Sequence, residues 1–283
     1  MAKGNLLLGT AGNSVGDVVM YRREGAQVSR VRVRKIKNPK TDAQSLQRAA
    51  FSPVAKFYSP LAVVLERSFE GLSKMKSYNK FLKTNIDLAR ANGWLLPKGT
   101  GFFPLPYKLS QGTLPVTSLE ISAGSEKFII KGISPAENYS TVGQLSTAFI
   151  AAGYQNGDIV TIICVRQNGA NISDGFVPVA NQFAIDSTSS VTLAVAMPSL
   201  TFGVSGDYAM FDLATGTSVA AAVIVARFEN EKWRRSTQDL IVKSSIMSAI
   251  TDADYKAAAI ASYGMNAGDP NPLVYLDGDT LEG

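Results

Sequence analysis

Ile159-Val160-Thr161-Ile162-Ile163-Cys164-Val165 is an unbroken run of β-branched and apolar residues, entered from the turn Gly157-Asp158. A strand with one wet face alternates polar and apolar side chains, and this run does not. It reads as a strand buried on both faces. Val219 to Ala226, the longest apolar stretch of the chain, reads the same way. Working outward, strands are predicted over residues 116–122, 126–132, 158–166, 176–184, 190–197, 206–213, 219–229 and 238–242. Clusters of Gly, Asn, Asp and Ser separate them. Eight short strands in about 130 residues predict an all-β body over residues 113–242, a β-sandwich of immunoglobulin-like type. A short helix is expected around residues 143–152.

Ahead of the body, residues 1–37 read as a small basic β unit. Asp17-Val18-Val19-Met20-Tyr21 is a candidate strand, Glu24-Gly25-Ala26 a turn, and Gln27 to Ile36 the return strand. Asn38-Pro39-Lys40 breaks the strand. Thr41-Asp42-Ala43-Gln44 has the form of a capping box opening a helix, which Pro53 and Pro60 kink or split before about residue 67. A second helix is expected over residues 72–91, stopped by Asn92-Gly93. Residues 38–93 are thus a helical segment. Residues 94–112, rich in Pro, Gly and aromatics, are the predicted connection to the body, its aromatics expected to pack onto the body rather than form an exposed patch, and residues 243–283 a short helix followed by an acidic tail. The fold class is α+β.

Composition limits the chemistry. The chain of 283 residues contains no histidine and one cysteine. Histidine-dependent triads and dyads are therefore absent, and so are the familiar zinc sites, which need four soft ligands. Cys164, inside the buried run, reads as a core thiol. No Gly-Lys-Ser/Thr phosphate loop follows the early glycines. Asp277-Gly278-Asp279 lacks the rest of a calcium loop. No catalytic, metal or cofactor residue is assigned, and the expectation is a non-enzymatic protein that needs no cofactor. Lys3 precedes only Leu6-Leu7-Leu8, too short for a signal peptide, and no apolar stretch reaches the length of a membrane span. Synthesis in the cytoplasm and no membrane partner are the expectations.

Charge is uneven along the chain. Residues 1–100 hold 18 Lys and Arg against 6 Asp and Glu, and the remaining 183 hold 10 against 17. The basic part is expected to meet something acidic: the body of another copy, or a nucleic acid. The candidate interaction residues are Arg22, Arg23, Arg30, Arg32, Arg34, Lys35 and Lys37. Strand alternation places Arg30, Arg32 and Arg34 on one face and Val31 and Val33 on the other. Guanidinium forms bidentate pairs with carboxylate or phosphate, which favours a contact role for such a ladder. From Gly264 to Gly283 the tail carries Asp269, Asp277, Asp279 and Glu282 and no basic residue, with Leu273-Val274-Tyr275-Leu276 as an apolar anchor suited to docking on a neighbour.

Gly16-Asp17-Val18-Val19-Met20-Tyr21, then Gly25, Val28 and Arg30, then Asn38-Pro39-Lys40-Thr41-Asp42-Ala43-Gln44, then Gln47-Arg48 and Phe51 form a spaced pattern. It resembles a family of uncharacterised proteins frequent in Bacteroidota and their phages and prophages. The likeness covers roughly residues 9–70. One departure is Arg22-Arg23-Glu24-Gly25, where the family carries an aromatic-Arg-Gly run. The resemblance brings no activity with it. Its phage association implies a virion or assembly role, such as a neck, ring, tail or head-associated component of a crAss-like phage. The leading expectation is a phage virion structural protein that forms a symmetric homo-oligomer and contacts other virion proteins. The alternative is a nucleic-acid-binding accessory protein, blind to sequence, that uses the basic face. A surface or carbohydrate-binding module fits poorly without an export signal, and a carboxylate hydrolase fits poorly without a recognisable acidic pair.

Overall fold

The computed structural model describes residues 13–15, 17–23, 26–32, 51–92, 102–122, 126–134, 139–169, 174–205, 208–216 and 218–246. The chain divides into two units, Met1–Thr41 and Asp42–Gly283. In the first, β1 (Asn13–Val15), β2 (Val18–Arg23) and β3 (Ala26–Val31) form an antiparallel sheet in that order. Val18 lies opposite Val31, Val19 opposite Arg30 and Tyr21 opposite Val28.

The second unit starts with α1, helical over residues 51–58 and tightening into a 3-10 turn at Ser59–Leu61, where Pro60 sits. Then follow α2 (Lys74–Asn92), β4 (Lys108–Ser110), β5 (Leu119–Ile121), β6 (Phe128–Ile130), α3 (Val142–Ala151), β7 (Ile159–Gln167) and β8 (Phe176–Ala184). The chain continues with α4 (Leu193–Ala196), β9 (Leu200–Ser205), β10 (Tyr208–Leu213), β11 (Ser218–Glu229), β12 (Lys232–Arg235), β13 (Gln238–Asp239) and β14 (Ile241–Val242).

The central sheet runs β12-β11-β7-β8, with β14 also on β11, and the strands are antiparallel. Both apolar runs read from the sequence lie at its middle, Ala222 opposite Ile163 and Val225 opposite Val160. The pleat sends alternate residues to opposite sides. Ile163, Val165, Ala220, Ala222 and Ile224 enter one core with Val54, Phe57, Leu61, Leu65 and Phe81 of the helical segment. Val160, Ile162, Cys164, Ala221, Val223 and Val225 enter a second core. Leu145 and Phe149 of α3, and Phe128, Ile130 and Phe211 of the sheet β5-β6-β10-β9, complete it. The fold is therefore α+β: two sheets face each other, and helices cover the outer face of the central one. A strand covered on both sides has no polar face, which is why β7 and β11 do not alternate.

Two expectations need correction. Within residues 190–197, expected as a strand, Leu193–Ala196 form the short helix α4. A strand would put 193, 195 and 197 on one side, yet Leu193 and Met197 are buried while Val195 is 74% exposed. That is helical spacing. Residues 102–109 pack onto the body, as expected of this connection. Phe102, Phe103, Leu105, Tyr107 and Leu109 are buried in the first core, where each large apolar side chain contributes about 1.5–3 kcal/mol. Asn85 of α2 fastens this segment, its amide donating to Lys108 O at 3.0 Å and accepting from Lys108 N at 2.8 Å. Strands β9 and β12 were not expected. The Thr41–Gln44 capping box and the helix after Thr251 lie outside the described residues. The helix over 143–152 is present as α3, with a capping box at Thr141 and Gln144.

A buried ion pair sits where β7 begins. Asp158 accepts from Arg227 Nε and Nη2 of β11, both at 2.7 Å, and from Gln155 N at 2.9 Å. Its side chain is 2% exposed. Removing one partner of such a pair leaves an uncompensated buried charge. Asp158→Ala is expected to lower the unfolding free energy by about 3–5 kcal/mol in urea titration, and Arg227→Met in the same chain to recover part of the loss.

Candidate interaction surfaces

The N-terminal sheet presents an open surface. Val19, Tyr21, Val28 and Arg30 share one face by register, and the Arg30 guanidinium lies 5.7 Å from the centre of the Tyr21 ring, within cation–π range. Arg30 is exposed. On the other face Val31 is 72% exposed, so the alternation does not sort this strand into a buried side and a solvated one. β3 ends at Val31. Arg32 lies beyond it, exposed, its backbone N–H donating to Asp17 O. Of the other candidate residues, Arg22 and Arg23 lie in β2 opposite Gln27 and Ala26. Arg34, Lys35 and Lys37 lie outside the described residues, as do Leu273, Val274, Tyr275 and Leu276.

A second surface escaped the sequence reading. A cleft of about 580 Å³ opens between the turn over residues 67–73 and the β11–β12 hairpin. Arg67 and Glu70 line one wall, and Glu229, Lys232, Trp233 and Arg234 the other. The hairpin turns on Asn230 (φ 50°) and Glu231 (φ 60°), both left-handed, as a two-residue turn between twisted strands requires. Beyond the turn, Phe228 and Trp233 pair across the strands with ring centres 5.2 Å apart.

Polar contacts tie the two walls together. Glu70 accepts from Thr113 N at 2.8 Å, from Thr113 Oγ1 and, at 3.4 Å, from Arg235 N. Arg234 donates to Thr113 Oγ1 at 2.9 Å and to Glu229 at 3.0 Å. Partial burial pushes the Glu70 carboxyl upward, but these hydrogen bonds and the Arg234 charge outweigh it and hold the group below the usual carboxylate value. Arg235 is 8% exposed. Its Nη2 donates to Glu66 O at 3.1 Å, its guanidinium lies 5.1 Å from the centre of the Trp233 ring, and its Nε has no hydrogen-bond partner. Burial, and then the nearby Arg67 charge, bring it down to about 10.

The sequence signal for this cleft is the run Lys232-Trp233-Arg234-Arg235 after Asn230. The other wall carried no signal, because Glu70 and Arg235 are 165 residues apart in the chain. Cys164 is wholly buried, which pushes its thiol up and keeps it protonated. Among the described residues no group of three or more His, Cys, Asp or Glu could hold a metal ion, and no helix is long and apolar enough to cross a membrane.

Residues 9–94 match a protein family described as a family of unknown function (DUF6266). The matched segment takes in the N-terminal sheet, α1 and α2, and the family carries no activity to compare. No curated protein and no solved structure matches the chain.

Two outcomes follow from the cleft's charges. Glu70 has a lowered pKa when folded, so its contribution is present above the unfolded carboxylate pKa and is lost as pH falls through the folded value. Glu70→Gln should therefore flatten the loss of stability between about pH 5 and pH 3, read from urea midpoints. Arg235 is a buried charge without a carboxylate partner, so Arg235→Met should leave the unfolding free energy unchanged or raise it. A loss above about 2 kcal/mol would show that the Glu66 carbonyl bond and ring stacking outweigh desolvation.

Proposed function

We propose that this chain is a non-enzymatic structural protein of a phage particle, assembling with copies of itself into a symmetric ring or shell and contacting other virion proteins. The phage setting rests on the resemblance of its opening segment. The self-assembly reading rests on one observation above all: the N-terminal sheet exposes side chains on both faces, Tyr21 and Arg30 on one and Val31 on the other. A small sheet needs a covered apolar face to be stable in water. A second copy would supply that cover.

Charge supports the same reading. The basic first 100 residues and the net acidic remainder are complementary, so the N-terminal part of one copy can face the body of the next. A head-to-tail contact of this kind closes into a ring when the rotation allows it. A nucleic-acid-binding role for Arg30 and Arg32 is the competing reading, favoured by the exposure of both and by the Tyr21 ring beside Arg30.

Light scattering on the full chain over a range of salt separates the two. A discrete multiple of 30.2 kDa is expected for the wild type, with Val31→Asp shifting it towards monomer. A monomer at every concentration would overturn the assembly reading. Binding to duplex DNA of arbitrary sequence that falls steeply with salt would move the assignment to nucleic acid.

A further inference from the structure

The two edges of the central sheet differ. β12 is four residues long and carries Lys232, Arg234 and Arg235, and its Arg235 carbonyl accepts from Leu114 N at 2.9 Å. Short length, charge and a covering segment are the devices that keep an edge from pairing. At the other edge β8 runs nine residues, Phe176-Val177-Pro178-Val179-Ala180-Asn181-Gln182-Phe183-Ala184, with no charged side chain. Pro178, opposite Val165, has no N–H, so the even-numbered residues of β8 turn their backbone groups away from β7. The hydrogen bonds at both ends of the ladder agree, Asn168 N donating to Gly175 O and Ile185 N to Asp158 O. Among the described residues, no backbone group accepts from the outward N–H of Ala180, Gln182 or Ala184, or donates to their carbonyls.

This edge is mainly apolar on both faces and incompletely covered. Val179 packs against the second core and Ala180 against the first, both half-buried. Asn181 Nδ2 is buried without a hydrogen-bond acceptor. A strand laid along β8 extends the sheet between the same two layers, so it needs apolar side chains pointing both ways. The smaller sheet, where β10 alternates buried and half-buried residues, suits an alternating strand instead. Outside the described residues two unbroken apolar runs of four or more occur, Ala257-Ala258-Ala259-Ile260-Ala261 and Leu273-Val274-Tyr275-Leu276. The first is a helix former by composition. The second has the β formers Val274 and Tyr275 at its centre and lies between Pro272 and Asp277-Gly278, which bound a strand.

We propose that Leu273-Val274-Tyr275-Leu276 of this same chain adds to β8 as the outermost strand of the central sheet. Its backbone engages the outward N–H and carbonyl groups of β8, the mode by which extended segments add to sheet edges. Its side chains extend the two cores over Val179 and Ala180, and a strand beside Asn181 brings carbonyls, the kind of acceptor that Nδ2 lacks. Reach assigns the strand to the same chain. β14 lies on the side of β11 away from β7, so the new strand is four strand spacings from β14, about 20 Å. Between Ile246 and Leu273 the extended chain spans up to about 90 Å. A tethered segment that reaches its site outcompetes the same segment on another molecule through its effective concentration. The seat is independent of the self-assembly reading.

Amide hydrogen exchange on the isotope-labelled full chain, read residue by residue by NMR, tests it. Val274→Pro with Tyr275→Pro removes a strand N–H whichever of the two faces β8. In the wild type the Ala180, Gln182 and Ala184 amides are expected to exchange at least about tenfold more slowly than in this variant, with the inward Val179, Asn181 and Phe183 amides alike in both. Equal exchange of the outward amides in the two chains overturns the proposal. So does protection regained when the labelled variant is refolded from urea together with an excess of unlabelled wild-type chain, because the strand then comes from a neighbour.

Discussion

The antiparallel pairing of β7 with β11, covered on both sides, is the constraint from which the rest of the larger unit follows. Neither strand has a polar face, so neither can lie at a surface. The chain must provide two apolar layers. It does so with the helical segment and the 102–109 stretch on one side, and with α3 and the smaller sheet on the other. The Asp158–Arg227 pair stands at the end of this pairing and fixes its register. A one-residue slip would exchange the two cores and unmake the pair.

The same strand that anchors the core also carries the candidate binding surface. β11 is buried from Ser218 to Ala226, then emerges through Arg227, Phe228 and Glu229 into the hairpin with β12. The buried length holds the exposed length rigid, and the cleft against the 67–73 turn inherits that rigidity. Sites built on regular elements hold their geometry better than sites on loops. Arg235 lies buried behind Trp233, its guanidinium near that ring and bonded to the Glu66 carbonyl.

The N-terminal sheet works by the opposite logic. It has short strands, an exposed valine and an arginine stacked on tyrosine. One surface is basic and open, and the other is a cleft whose lining holds three cations and three carboxylates.

Much of this was legible in the residues. The unbroken apolar runs identified β7 and β11, the periodicity and the stop at Asn92-Gly93 identified α2, and Gly143–Ala152 announced α3. Charge counts exposed the asymmetry between the two parts. These are local properties, set by the period of side chains along a backbone and by composition. Residues 190–197 misled because a run of β-branched and apolar residues can follow either period, and only the layer that Leu193 and Met197 pack into chooses the helix. The aromatics of the Phe102–Leu109 stretch pointed to packing, while the core they enter is built from residues distant in the chain. The Asp158–Arg227 pair and the cleft were invisible because they join residues 69 and 165 apart in the chain. The sequence alone determined the two doubly buried strands, the helices α2 and α3 and the distribution of charge along the chain. The tertiary structure alone decided which charges are paired and which are left wanting a partner, because pairing depends on distance in space, and that distance is set by the packing of both faces of the central sheet.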